Sequence, residues 1–503
     1  VILVIDIGTS SLRTVAVDEA GAIREIERRV TTPTSPAPGL VEFDPMALAN
    51  AVIDAAEAVL ARVGEVDAVG IASQRASTVV WDRSTGQPIG PGLGWQDLRT
   101  VGDCLVARAE HGFELAPNQT ATKAAWLLAH AQPRPVDPCI GTVDAWIMWV
   151  LSRGAVHLTD HTNAAVTGLY DFGEGCWDTH RCQTLGIDPA WLPTIVDSVG
   201  PGAVGAGAGG AGAVGAGAVG AGAVATALSG APPIAAVVGD QQASLVGQGC
   251  VVEGAAKITF GTGAMLDVCT GSTPAPKGTR SRHGTFSIVA WSHDAERIWG
   301  TEAIMLSAGT AVEWLVEDLG LIESPGQSHE LAASCPDTAG VMFVPALLGL
   351  GTPHWDYGAR GTLVGLTRGT TSAHIARAVL EGVAHRGADL IEAARADTGL
   401  DPAVIRIDGG MSQNPTFVQA LADAAQITVE TSPIAEATTM GAAHLASVAI
   451  GRWPSVPATA ALWAPALRAE PSDAPERRTE RERWHEAVQR SVGWIPELSS
   501  LDF

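Results

Sequence analysis

The head of the chain constrains its fold most. Val1-Ile2-Leu3-Val4-Ile5 is an apolar run stopped by Asp6, and a turn containing Gly8, Thr9, Ser10 and Ser11 separates it from a second, alternating segment, Arg13–Asp18. Short β-branched runs joined by a Gly/Thr/Ser turn read as a hairpin, and Ala20-Gly21 turns the chain into a third strand at Ile23–Arg29. The same arrangement restarts in the second half: Ala256–Phe260, the turn Gly261-Thr262-Gly263, Met265–Cys269, and a third strand expected at Thr285–Trp291. A chain that repeats strand, polar turn and strand predicts two similar halves.

Helices alternate with these strands. Asp44-Pro45 opens one, with Asp44 as N-cap and Leu48, Val52, Ala55, Ala56, Val59 and Leu60 at helical spacing. Strands follow at Val66–Ala72 and Thr78–Trp81. Later, a long helix is expected over Ser372–Ala396, a strand over Val404–Ile407 and a small-residue helix over Thr438–Ile450. This is α/β architecture, and its 503 residues are too many for one core. Two domains are expected, 1–248 and 249–503, with a cleft between them that would suit a clamped nucleotide.

The balance of 31 basic against 54 acidic residues, a formal charge of −23, argues against a nucleic-acid binder. The seven scattered cysteines form no C-x-x-C pair, so reduced thiols and a cytoplasmic location are expected. The first residues read as a strand rather than a signal peptide. No charged residue occurs between Asp197 and Asp240, but Gly and Ala dominate Pro201 to about Ser229. That composition reads as a low-complexity surface insertion, not a membrane span.

Four short segments carry chemistry. In the first turn, Gly8 allows close approach of backbone to a phosphate, Thr9, Ser10 and Ser11 supply donors, Arg13 a cation, and Asp6 a carboxylate able to hold Mg²⁺ through water. Gly261-Thr262-Gly263 would grip phosphates from the opposite side. Asp408-Gly409-Gly410 leads from a strand towards a helix starting near Asn414-Pro415, and its glycines admit a flat ligand or simply a tight turn. Asp240, at a strand end in Gly239-Asp240-Gln241-Gln242, suits a general base or a helix N-cap. His157 and His161 stand at helical i, i+4 spacing, but no further metal ligands lie near them in sequence.

Taken in order, these motifs resemble the FGGY carbohydrate kinases, and within them the glycerol kinase branch, over nearly the whole chain. The resemblance rests on the opening D-x-G-T-S-S-x-R, on Ser73-Gln74-Arg75 with Thr78–Asp82, on Trp95-Gln96-Asp97, and on Gly239–Gln242. Its most specific part is Gly361-x-Leu363-x-Gly365-Leu366 followed by His374-Ile375-x-x-Ala378-Val379-Leu380-Glu381. It implies an actin-like, ribonuclease H-like pair of domains, ATP and Mg²⁺ as cofactors, and Asp240 as catalytic base, with Asp6 and Asp240 at the metal. Thr9, Ser10, Ser11, Arg13, Gly261 and Thr262 carry over to the phosphates, and Gly309, Glu313, Gly410 and Asn414 to the adenosine. Arg75, Trp95, Asn118, Asp240 and Gln241 carry over to a small polyol or sugar acceptor. Two positions depart from the glycerol kinase pattern: Ala76 stands in place of Glu and Asn118 in place of Tyr. A larger, more polar pocket for a four- or five-carbon polyol or ketose is therefore expected beside glycerol itself. A homodimer is compatible with the resemblance, which calls for neither nucleic acid nor membrane. The rival readings are a non-catalytic actin-like ATP switch or sugar sensor, and an ATPase without an acceptor.

Overall fold

The computed structural model describes residues 1–133, 135–200, 223–273, 280–434, 436–474 and 476–500. The first sheet comprises β1 (Ile2–Ile7), β2 (Ser11–Val17), β3 (Ile23–Val30), β4 (Ala68–Ser73) and β5 (Ile234–Gly239). Their spatial order is β5-β4-β1-β2-β3, with β1 antiparallel to β2 and parallel to β4. Every residue of β1, β4 and β5 is buried, which is why these strands read as continuous apolar runs rather than alternating ones. Leu3 and Ile5 pack on one face with Val52, Ala56 and Val59 of helix α1 (Pro45–Val63). Ile2 and Val4 pack on the other with Ala442 and Ala446. Asp44 caps α1 as expected, accepting from the backbone of Met46 (2.8 Å) and Ala47 (3.1 Å), a contribution of about 1 kcal/mol.

The second sheet repeats this plan. Its strands are β6 (Ala256–Phe260), β7 (Ala264–Gly271), β8 (Phe286–His293), β9 (Glu296–Met305), β10 (Val404–Asp408), β11 (Thr428–Thr431) and β12 (Leu467–Ala469). The order is β8-β9-β7-β6-β10-β11-β12, and β6 is antiparallel to β7 and parallel to β10, as β1 is to β2 and β4. The third strand expected at Thr285–Trp291 exists as β8, but it lies at the edge. β9, whose Glu-Arg-Ile-Trp-Gly-Thr-Glu run breaks simple alternation, takes the place beside β7.

Five further helices matter for the site: α2 (Asp240–Gly247), α3 (Gly309–Glu317), α4 (Ser372–Thr398), α5 (Pro415–Ala425) and α6 (Ala437–Ala449). α2 and α6 cross backbone to backbone. A Cβ on Gly441 would sit 1.8 Å from the Ala243 carbonyl oxygen, and one on Gly247 would sit 1.9 Å from that of Ala437. The small-residue composition of α6 follows from this crossing and from its packing against the first sheet, where Gly70 meets the Ala442 carbonyl.

Two expectations change. His157 and His161 do not share a helix, because Leu158–Asp160 between them is a strand and His161 begins the next helix. His157 packs between Trp81 and Trp149 and bonds the Ile140 carbonyl (3.0 Å), whereas His161 pairs with the Tyr170 hydroxyl (2.8 Å). The Gly/Ala-rich insertion was expected to run on the surface to about Ser229. Residues 201–222 lie outside the described residues, but Ala223, Ala225 and Leu228 are buried in the core of the first sheet, so its last part is structural. No helix among the described residues is long and apolar enough to cross a membrane.

Candidate active site

The carboxyl end of β1 delivers Asp6 into the interior, 5% exposed, with the turn Gly8–Ser11 above it. Burial pushes its carboxyl up to about 6; Arg13 opposes this, and the nearby charges of Asp240 and Glu436 add to it. Arg13 reaches Asp6 (3.4 Å) and pairs more closely with Glu436, which also holds Arg28 (2.7 Å). Its charge is therefore committed to two carboxylates. The Thr439 hydroxyl of α6 completes the surroundings of Asp6 at 3.4 Å.

The segment after β4 is tied to the same turn. Gln74 donates from its backbone to the Ile7 carbonyl (2.7 Å) and from its amide to Gly8 (3.3 Å), and the Trp95 indole donates to the Thr9 hydroxyl (3.0 Å). Arg75 packs its stem against Gly239, where a Cβ would lie 2.8 Å from the Arg75 Cδ. The guanidinium thus stands beside Asp240, with Nε 3.6 Å from the carboxylate, and Nη2 bonds Glu302 at 2.6 Å. Arg75 Nη1 is buried without a hydrogen-bond partner among the described residues.

Asp240 is the first residue of α2, and Gly239, not Asp240, is the cap. Its side chain is 28% exposed and accepts from the Gln241 backbone at 2.8 Å. Burial raises its carboxyl, against the pull of Arg75 and Lys257. Beneath it, the fully buried Lys257 reaches Asp267 (2.7 Å), the Gln241 side-chain oxygen (2.8 Å) and the Thr259 hydroxyl (2.9 Å). Burial also raises the Asp267 carboxyl.

Across the cleft, the exposed turn Gly261-Thr262 is pinned to the start of α3. Gly309 donates to the Gly261 carbonyl (2.9 Å), and a Cβ on Gly309 would lie 2.6 Å from that oxygen. Glu313 is exposed one turn further on. The two glycines after β10 differ in kind. Gly409 (φ +86°) would drive a Cβ to 2.1 Å from the Phe260 carbonyl oxygen, whereas Gly410 faces open space. Asn414 caps α5, accepting from Phe417, and its amide nitrogen donates to Ser328 (3.0 Å), so both ends of this side chain are engaged. Asn118 is exposed; two residues on, the Thr120 hydroxyl donates to the Ala76 carbonyl (3.2 Å).

Thus Asp6, Thr9, Trp95, Arg75, Asp240 and Gln241 converge, while Gly261 and Thr262, pinned to Gly309, form a second, exposed turn after β6. Sequence reading missed Glu302, Lys257, Glu436 and Thr439. The available signal was a charged residue inside an otherwise apolar strand, for Lys257 in β6 and Glu302 in β9. Met265, whose sulfur lies 3.9 Å from Arg75 Nη2, gave no signal.

This geometry has close relatives. Residues 1–247 match the N-terminal domain, and residues 256–450 the C-terminal domain, of the FGGY family of carbohydrate kinases. The chain belongs to that family. It is a phosphotransferase acting on a sugar or polyol hydroxyl. A glycerol kinase of Aromatoleum aromaticum is 38% identical over 98% of this chain and 99% of its own length. One of Deinococcus radiodurans is 36% identical over 98% of each chain. Among solved structures, glycerol kinase of Plasmodium falciparum with ADP superposes with a TM-score of 0.86 at 28% identity, covering 97% of this chain and 98% of that one. Xylulose kinase of Lactobacillus acidophilus shares the fold of this FGGY kinase, with a TM-score of 0.82 at 18% identity and 99% of each chain covered.

Proposed function

We propose that this kinase transfers the γ-phosphoryl group of ATP to glycerol or to a larger four- or five-carbon polyol or ketose, with Asp240 as the base. The observation that carries the reading is the pairing of Asp240 with Arg75 at the head of α2, where Arg75 Nη1 is buried and unpartnered among the described residues. The Asp240 side chain beside it is 28% exposed, which leaves its carboxylate open to an acceptor hydroxyl.

In this reading the phosphates lie between the Gly8–Ser11 and Gly261-Thr262 turns, and Gly410 leaves room for the adenosine end. Asp240 orients the acceptor hydroxyl and takes its proton as the new O–P bond forms and the bond to the ADP oxygen breaks. Phosphoryl transfer asks for little else from a protein beyond positioning and charge balance. The donors fit Mg²⁺: the Asp240 charge helps raise the Asp6 carboxyl, a repulsion that a cation relieves. Such an ion, when bound, offsets phosphate charge.

Ala76 supports the larger acceptors. It lies in a left-handed turn (φ +60°) next to Arg75 and supplies no carboxylate, unlike the glycerol kinase pattern. A site lacking one partner for a substrate hydroxyl discriminates poorly for the ligand that needs it. The test is ADP release with Mg-ATP against glycerol, tetritols, pentitols and ketopentoses, using Asp240→Asn as control. A strong response that vanishes in the variant is expected. Equal ADP release with and without every acceptor would instead support the switch or bare ATPase readings. Ala76→Glu should raise turnover of glycerol relative to pentitols, and no change would remove the argument for a larger acceptor.

A further inference from the structure

The face of the second sheet turned towards α2 is charged. Strand register aligns Arg468 with Glu430, Glu430 with Arg406, Arg406 with Lys257, Lys257 with Asp267, and Asp267 with Glu302. Residues directly opposite one another on neighbouring strands share a face, so these six form one transverse row. The opposite face, with Ile258, Phe260, Leu266, Val268, Ala303, Ile405 and Ile407, belongs to the apolar core. At its Glu302 end the row grips two residues of the first half: Glu302 holds Arg75 at 2.6 Å and Lys257 holds Gln241 at 2.8 Å. Both flank Asp240.

We propose that Lys257 is a positioning residue that fixes which end of the Gln241 carboxamide faces the acceptor. An ammonium has three donors and no acceptor, so the amide can meet it only through oxygen. Lys257 also donates to the Thr259 hydroxyl and forms an ion pair with Asp267, so it is itself held in place. The Gln241 NH₂ group is left as the free end. It gives this wall a donor matched to the lone pairs of a substrate hydroxyl, while Asp240 supplies the accepting group. Without Lys257 the amide can turn over and offer its oxygen to an oxygen. The ammonium also ties the head of α2, and so Asp240, to the sheet beneath it.

The inference rests on Gln241 belonging to the acceptor pocket, and the experiment separates the two. Lys257→Met alone would leave Asp267 buried without its counter-charge and could unfold the protein. The pair is therefore removed together as Lys257→Met/Asp267→Asn, beside Gln241→Ala and the triple combination. Expected are an acceptor KM raised about tenfold by the paired variant, an ATP KM unchanged, and a triple variant no worse than Gln241→Ala, because both act through one amide. Effects that multiply in the triple variant, or an ATP KM that rises in step, would overturn the inference. If Gln241→Ala leaves the acceptor KM alone, the pocket assignment fails instead. Gln241→Glu gives an independent check without a cavity. It sets a carboxylate against Lys257, so Tm should hold or rise while acceptor KM rises about tenfold. A fall in Tm would mean that residue 241 does not face Lys257.

Discussion

Gly441→Ala tests whether the crossing of α2 and α6 sets the position of Asp240, the proposed base. The added Cβ meets the Ala243 carbonyl oxygen at 1.8 Å, the Ala243 carbonyl carbon at 2.6 Å and the Gly247 nitrogen at 2.9 Å, all backbone atoms that cannot rotate away. Ordinary contact begins at 3.4 Å, so relief requires the helices to part by about 1.6 Å. Alanine gains about 1 kcal/mol over glycine in helix propensity, whereas overpacking of this kind costs about 1–3 kcal/mol, so the clash prevails. Asp240 heads the same short helix, three residues before Ala243, and a shift of the crossing carries it along. Misplacement of a reacting group by about 1 Å can cost about 100-fold in rate. The assay is acceptor-dependent ADP release with a parallel melting curve. A fall in kcat of about that size with a lower Tm is expected. A variant with parental kcat and Tm would refute the argument that this contact places the base.

Gly409→Ala should fail to fold stably, because a Cβ there meets the Phe260 carbonyl oxygen at 2.1 Å at a φ of +86°. Gly410→Ala should keep its Tm and raise the ATP KM; similar melting of the two variants would contradict this division. His157 is held near a pKa of 3 by burial, against 6.5 when unfolded. Between those values the unfolded chain takes up a proton that the native protein refuses, so stability present above pH 6.5 is lost as pH falls towards 3. His157→Leu should therefore melt lower at pH 7.5 yet lose less Tm between pH 7.5 and 5 than the parent. An unchanged pH slope would show that His157 does not carry this term.

The elements visible in the sequence were those whose signals are local. Asp44-Pro45 announces α1 through its own cap, and the strand–turn–strand repeat announces the central strands of both sheets. Strand β9 was not visible because its glycine and its two glutamates interrupt the alternation on which recognition depends. The site was half legible for the same reason. Asp6, Asp240 and the glycine turns lie in recognisable motifs, but Glu302 meets Arg75 across 227 residues and Glu436 meets Arg13 across 423, distances that no local pattern spans. A charged residue in a strand reads as a solvent position, and only packing against Gln241 and Arg75 of the first half turns Lys257 and Glu302 into buried partners of the site. The histidine pair misled because i, i+4 spacing means proximity only on a helix.

The transverse row bears on how such a chain can change over generations. β6, β7 and β9 each keep apolar side chains on one face and members of the row on the other. A single-residue deletion within any of them exchanges the faces from that point, carrying lysine or aspartate into the core and leucine or isoleucine into the charged row. Length variation is thereby expelled into the connections. Within the strands the row can drift only through compensated exchanges, one lane altering its charge when its neighbour does, so that its alphabet is inherited in pairs.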